Sequence, residues 1–251
     1  MNAMAEDCLE IKEITKSYHK RKVLNSVTDS FDTGFHALLG PNGAGKSTLM
    51  GIMCGCIRPD SGELFLGEQK ITDMPRSYRD EIRILFQDPP LFENYSAEDV
   101  MKYGGILFGL KKSRVMDDTE QNLKKVGLFD ERRMKVRQMS GGMKKRLAIA
   151  QTLMGDFRIL FLDEATAGLD ISERDRFRAL MEELKTDHII LMSTHILSDV
   201  EMISDEIHIL GAGELKDHIS LRSVPKEERS SQMIREQYLR MIGEQSDSVV
   251  V

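Results

Sequence analysis

Three short segments carry residues whose types and spacing suit phosphate chemistry. Gly40-Pro41-Asn42-Gly43-Ala44-Gly45-Lys46-Ser47-Thr48 fits the pattern G-x-x-x-x-G-K-[ST]. Its glycines let the backbone curl so that successive N–H groups point at an anion with no side chain in the way. A helix opening near Lys46 adds unpaired N–H groups and a partial positive charge. Lys46 is then expected to reach the β- and γ-phosphates of a nucleoside triphosphate, and Ser47 to ligate Mg2+. The second segment is the apolar run Ile159 to Leu162, which ends in Asp163 and Glu164. Carboxylates at the C-terminal end of a buried strand lie where doubly wound sheets bind ligands. Adjacent strand residues point to opposite faces, so the two acids should differ in role. Asp163 suits the Mg2+ shell, directly or through water, and Glu164 suits a base that orients and deprotonates an attacking water. The third segment is Met139-Ser140-Gly141-Gly142-Met143, followed by Lys144, Lys145 and Arg146. Ser140 and the two glycines open a helix, so their N–H groups and the hydroxyl can hold a second set of phosphate oxygens.

Positioning these segments takes an alternation of strands and helices. Leu9, Ile11 and Ile14 begin a β-like stretch, Lys22 to Phe31 reads as a strand, and Phe35 to Leu39 as another that ends at Gly40. Lys46 to Met53 reads as helix, which completes a strand–glycine loop–helix unit. Ile82 to Phe86, Ile159 to Leu162, Ile189 to Met192 and Ile207 to Leu210 are further short apolar runs separated by helical stretches. This is the pattern of an α/β protein with a largely parallel sheet. Between them, Ser96 to Leu107, Asp118 to Val126 and Ser140 to Met154 read as helices with no strand among them, an α-helical insertion. Ser96 with Asp99, and Ser172 with Asp175, fit capping boxes that open two helices. Gly211 to Gly213 reads as a turn into a last strand, Val224-Pro225 leads to a terminal helix at Ser231 to Ile242, and Ser246 to Val251 should fray. The expected partition is an α/β core over 1–88 and 155–220 that carries the phosphate loop, a helical subdomain over 89–154 and a C-terminal tail over 221–251.

Composition bounds the rest. The chain has 251 residues, 41% hydrophobic and 30% charged, with a net charge of −6. That suits one large domain or two intimate ones with a sizeable core, and it argues against a bulk electrostatic footprint for nucleic acid. No stretch approaches the roughly 18 apolar residues of a membrane-spanning helix. Met1 to Glu10 carries Glu6, Asp7 and Glu10 and does not read as a secretory leader. Three cysteines make no disulfide framework. Cys54 and Cys56, with no further Cys or His at ligand spacing, read as small buried side chains rather than metal ligands. The 16 methionines read mostly as core filler. Lys144-Lys145-Arg146 opposes the dipole at a helix start, which leaves two readings open: a nearby phosphate that offsets the cost, or a solvated basic turn.

Taken in order, the phosphate loop, the Ser-Gly-Gly segment ahead of the Asp-Glu strand, and the later Ser193-Thr194-His195 make the chain resemble the nucleotide-binding subunit of an ABC transporter over nearly its whole length. The resemblance implies a P-loop NTPase fold, with a RecA-like core, an antiparallel β subdomain and an α-helical insertion. It implies that Tyr18 stacks on adenine and that Gln87 touches Mg2+ and the attacking water and senses a membrane partner. It also implies that Ala167-Gly168-Leu169-Asp170 crosses between two ATPase subunits at the nucleotide, and that His195 contacts the γ-phosphate. It further implies ATP and Mg2+ as ligands, and a head-to-tail partner subunit, identical or merely similar, whose signature completes each ATP site. Separate transmembrane permease subunits would place the chain on the cytoplasmic face of the membrane, with no nucleic-acid partner. Met139 and Met143 stand where the family usually has Leu and Gln, and Ala165 where it often has Pro. Pro89 to Asp99 and Glu236 to Ile242 resemble exporters of the drug, sodium and antimicrobial-peptide type. The alternative is a soluble ATPase of the same class, acting in assembly or nucleic-acid maintenance. A long coiled-coil insertion or a second cassette would mark the latter, and the chain has neither.

Overall fold

The computed structural model describes residues 8–242; the expected fraying of Ser246 to Val251 and most of the stretch Met1 to Glu10 lie outside the described residues. Two sheets organise the described chain. A six-stranded sheet runs β10-β9-β3-β8-β7-β6. Its strands are β3 (Gly34–Leu39), β6 (Ile82–Leu85), β7 (Ile159–Asp163), β8 (Ile189–Thr194), β9 (Glu206–Gly211) and β10 (Glu214–Ser220). All but β10 run parallel. A four-stranded antiparallel sheet runs β2-β1-β4-β5, built from β1 (Leu9–Tyr18), β2 (Arg21–Phe31), β4 (Ser61–Leu66) and β5 (Gln69–Lys70).

The parallel strands are near-continuous apolar runs because both faces of their sheet are covered. Alternation sorts their side chains. Phe161 and Leu191 face one side, with Leu38, and meet Leu49, Ile52 and Met53 of α1 (Lys46–Met53) and the apolar face of the antiparallel sheet. Leu160, Leu162, Ile190 and Met192 face the other side and meet Val100, Met101 and Leu147 of the helical region. That region comprises α3 (Ala97–Leu107), α4 (Lys112–Lys125) and α5 (Gly141–Thr152). Each fully buried Leu or Ile contributes about 1.5–3 kcal/mol through this burial. A third cluster joins Ile207 and Ile209 to Leu197 and Val200 of α7 (Leu197–Ile203) and to Ile234 and Tyr238 of α8 (Ser231–Ile242). Arg229 fixes the approach to α8 by donating to the carbonyls of Ser204, Leu221 and Val224 at 2.7–3.0 Å.

Some expectations need correction. The box opening α6 (Ile171–Leu184) is Asp170 with Glu173, not Ser172 with Asp175: the Asp170 carboxylate accepts from Glu173 N–H at 2.8 Å. The expected box at Ser96 and Asp99 is present. The second insertion helix begins at Lys112 rather than Asp118, with no side-chain cap. Three further elements, β4, β5 and α2 (Arg76–Glu81), lie where the sequence pattern marks no strand or helix. Cys54 is buried, its thiol pushed up to about 12 mainly by that burial. Cys56 is exposed, because α1 stops at Met53 and the next residues turn outward.

Candidate functional site

The first parallel strand, β3, lies between β8 and β9, so the strand order reverses there and a crevice opens above the strands' C-terminal ends. The phosphate loop leaves β3 at this point, Asp163 and Glu164 leave β7, and His195 follows β8. Gly45 caps α1 in the left-handed region, φ 107°, and a Cβ there would stand 2.8 Å from Leu24 Cδ2. No side chain caps α1 and its first turn holds no acid, so its amide donors remain available to an anion. Lys46 lies folded over the loop, donating to the carbonyls of Gly40 at 2.6 Å and Pro41 at 3.1 Å. Burial pushes its ammonium below the ordinary lysine value, with Glu164 and Asp163 pulling the other way.

A cleft of about 420 Å3 lies against this loop. Tyr18, Asn42, Gly43, Gly45, Lys46, Ser47, Thr48 and Glu164 all line it, together with Arg21, Val23 and Ser193. The structure thus brings the phosphate loop, Tyr18 and Glu164 together. Arg21 and Val23 are additions; the signal for them was their position one hairpin turn after Tyr18. Ser193 Oγ donates to Asp163 Oδ1, across the β7–β8 register that pairs the two residues. Glu164 is a non-glycine residue in the left-handed region, φ 45°. Such strain persists where surrounding bonds over-determine it. Here its N–H donates to Ser193 O at 3.1 Å and its carbonyl accepts from Ala167 N–H at 3.2 Å. Its carboxylate lies 3.3 Å from His195 Nδ1. Ser47 and Asp163 supply the hard oxygens that suit Mg2+, a cation that keeps waters and takes only one or two protein ligands beside phosphate. Among the described residues no cluster of three or more His, Cys, Asp and Glu is arranged to hold a metal.

Asp163 and His195 do not line this cleft and adjoin it through Ser193 and Glu164; Gly40, Pro41, Ala44, Gln87, Ser140, Gly141, Gly142 and Asp170 do not line it either. Gln87 and Gly141 line a second one of about 380 Å3, with Asp88, Lys144, Lys145 and Gly168. Asp170 is exposed at the start of α6. Ser140 caps α5, its Oγ accepting from Met143 N–H at 3.1 Å, which leaves the hydroxyl proton free to donate elsewhere. Met139 is buried and Met143 packs against the helical core, so the residue in place of the family's Gln serves packing. Gly142 lies close to a side chain: a Cβ there would stand 2.4 Å from the Glu173 carboxylate oxygens, so that carboxylate would have to shift. The basic triplet divides its partners. Lys144 reaches Glu93 at 3.3 Å, and Arg146 reaches Glu173 at 3.1 Å. Lys145 is buried against backbone carbonyls.

Comparisons with known proteins give the family. The ABC transporter family model matches residues 28–167. The lantibiotic transport ATP-binding protein SrtF of Streptococcus pyogenes is 37% identical over 209 residues, 82% of this chain and 88% of that one. A solved ATP-binding subunit of an ABC transporter superposes with a TM-score of 0.81 at 27% identity, over 93% of this chain and 98% of that one. The ATP-binding cassette MJ0796, solved as a dimer in a post-hydrolysis state with ADP and Pi, shares the fold at a TM-score of 0.78 and 24% identity, over 86% and 99%. The chain therefore belongs to the ABC transporter family, as an ATP-binding, ATP-hydrolysing subunit with the P-loop NTPase fold.

Proposed function

We propose that this chain is the motor of an exporter, binding two Mg2+-ATP in a twofold sandwich with a second such subunit. The observation that carries the reading is a separation within one chain. The phosphate loop and the Ser140 helix start lie on different clefts. Nothing stands within 4 Å of a Cβ placed on Gly141, so that helix start is open to an outside anion. Two chains placed head to tail would bring each phosphate loop against the other's signature, the isologous arrangement that twofold symmetry produces. Within that sandwich Tyr18 would stack on adenine. The loop from Gly40 to Thr48 would wrap the phosphates, and Ser47 and Asp163 would hold Mg2+; Gln87, on the neighbouring cleft, would have to swing toward the phosphate loop to join them. Bound there, the ion would neutralise phosphate charge. Glu164 would take the proton of the attacking water, His195 would orient it at the γ-phosphate, and Asp170 would approach the partner's nucleotide.

Among the described residues no helix is long and apolar enough to cross a membrane. A groove of about 410 Å3 beside Gln87 is lined by Phe86, Phe92, Tyr103, Leu107 and Phe108, all exposed. An exposed aromatic cluster of this kind marks a docking surface, and we assign it to a transmembrane permease on the cytoplasmic side. The likeness to a lantibiotic transport subunit supports export of a peptide antibiotic. The test is co-purification in detergent with a multi-span membrane protein. Phe92→Asp with Leu107→Asp should keep ATP turnover and lose that partner. A wild type that retains no membrane protein, or a variant that retains it fully, would overturn the docking assignment.

A further inference from the structure

Both hydrogen bonds of Lys145 go to backbone carbonyls, Gln87 O at 3.0 Å and Glu164 O at 3.4 Å, whereas Arg146 divides its bonds between the Glu173 carboxylate and the carbonyls of Val126 and Gly127. Lys145 is 8% exposed. Taking an ammonium out of water is costly, and an apolar side chain of the same length would fill the space without that cost. Stability alone is therefore a poor reason for a lysine here. Its two partners are the residues assigned above to the hydrolysis step, and they lie on separate segments, one after β6 and one after β7. Glu164 is the residue in the strained left-handed conformation. Of the bonds that hold its backbone, those to Ser193 and Ala167 come from the sheet and its own turn, and the Lys145 bond comes from α5. Lys145 lies five residues beyond Ser140 on the same helix, about 7 Å along its axis.

We infer that Lys145 is a positioning residue for ATP hydrolysis, holding the backbones of Glu164 and Gln87 in register with the signature helix. The inference rests on the ATPase assignment and goes beyond it. In the sandwich, the start of α5 meets the partner's nucleotide, and Glu164 acts on the chain's own. The Lys145 side chain is then a short mechanical link between the two ATP sites. When α5 is displaced, the Glu164 carbonyl loses its tie to the helical region, and its carboxylate loses register with the attacking water.

The experiment compares Lys145→Met and Lys145→Gln with wild type in the full-length protein, measuring ATP turnover, KM for ATP and the thermal midpoint. Lys145→Met keeps the stem and removes the charge. It is expected to hold its midpoint at or above wild type and KM within about twofold, while kcat falls roughly 10- to 100-fold, the effect of losing a hydrogen bond to a charged group. Lys145→Gln keeps an N–H that can reach one carbonyl and should recover part of kcat. A Met variant with wild-type kcat overturns the inference. So does one that fails to fold, or whose kcat and midpoint fall together with Gln no better, since that assigns Lys145 to packing. A wild type without ATP turnover overturns the ATPase assignment itself, and the inference with it.

Discussion

His195 Nδ1 lies 3.3 Å from Glu164 Oε1, joining the ends of β8 and β7 above the phosphate loop. The contact fixes the carboxylate's direction while φ 45° at Glu164 lifts it off the strand line. The proposed role of Glu164 as general base needs a carboxylate held in this way, with geometry first and proton affinity second. Glu164→Gln should keep ATP binding while turnover falls by roughly 10²–10⁴-fold, and ATP should trap the variant as a dimer on size exclusion. Near-wild-type turnover in Glu164→Gln would remove the residue from this role.

The Gly142 approach to Glu173 gives a stability prediction with an internal control. Glu173 accepts from Arg146 Nε at 3.1 Å and from Asp170 N–H at 3.1 Å. A methyl group at Gly142 would push the carboxylate off both partners. Gly142→Ala should cost about 1–2 kcal/mol, the scale of a lost helix cap and an ion pair, and lower the thermal midpoint by roughly 2–8 °C. Gly141→Ala meets nothing within 4 Å and should leave the midpoint unchanged or slightly raised. In a Glu173→Ala background the Gly142 penalty should vanish, which a double-mutant cycle measures directly.

Most of the core was legible because its strands are short apolar runs that end at residues capable of chemistry. The elements that escaped lack such signals. Residues 61–66 include Gly62 and Glu63, and only Leu64 and Leu66 are buried, so β4 shows a weak pattern. The start of α4 has Lys111 as its cap residue and no capping bond. Asp170-x-x-Glu173 and Ser172-x-x-Asp175 satisfy the same local rule. What selects the first is tertiary: Leu169 is buried while Ile171 is exposed, which sets where the chain turns into the helix. Lys145 escaped for a related reason. Its neighbours in sequence are both paired with carboxylates, and only the fold shows that the middle lysine points inward to two distant carbonyls. Likewise, the sequence could order Gln87 and Ser140 among the motifs but could not show that they sit away from the phosphate-loop cleft.

Acid sensitivity should centre partly on Asp32. The hydrogen bond from His36 holds its carboxyl below the usual range against partial burial, and Arg222 adds to the effect. A carboxylate whose folded pKa is depressed stabilises the fold fully above its unfolded value, about 3.9. That contribution is lost as pH falls through the lower folded value, because the unfolded chain then binds the extra proton. Asp32→Asn should therefore flatten the fall in thermal midpoint below about pH 4. At neutral pH the variant should lose no more than about 1 kcal/mol, since the Arg222 pair is half-exposed. An unchanged acid limb would assign that loss of stability to other carboxylates.

The twofold sandwich makes a prediction that a single-chain site cannot. Lys46→Ala removes the phosphate-loop cation and Ser140→Arg blocks the signature, so each variant alone should be inactive. Ser140→Arg also removes the α5 cap, at a cost of about 1 kcal/mol, so both variants must first show a folded thermal transition. In a mixed dimer, the Ser140→Arg subunit contributes an intact phosphate loop and the Lys46→Ala subunit an intact signature, and together they rebuild one site. The other site carries both defects. With random pairing of equal amounts, half the dimers are mixed and each has one working site of two, so turnover should return to about a quarter of wild type. The recovered activity should track the ATP-dependent mixed dimer seen on size exclusion of differently tagged subunits. Folded variants that form mixed dimers without recovering turnover would show that Ser140 does not act on the partner's nucleotide.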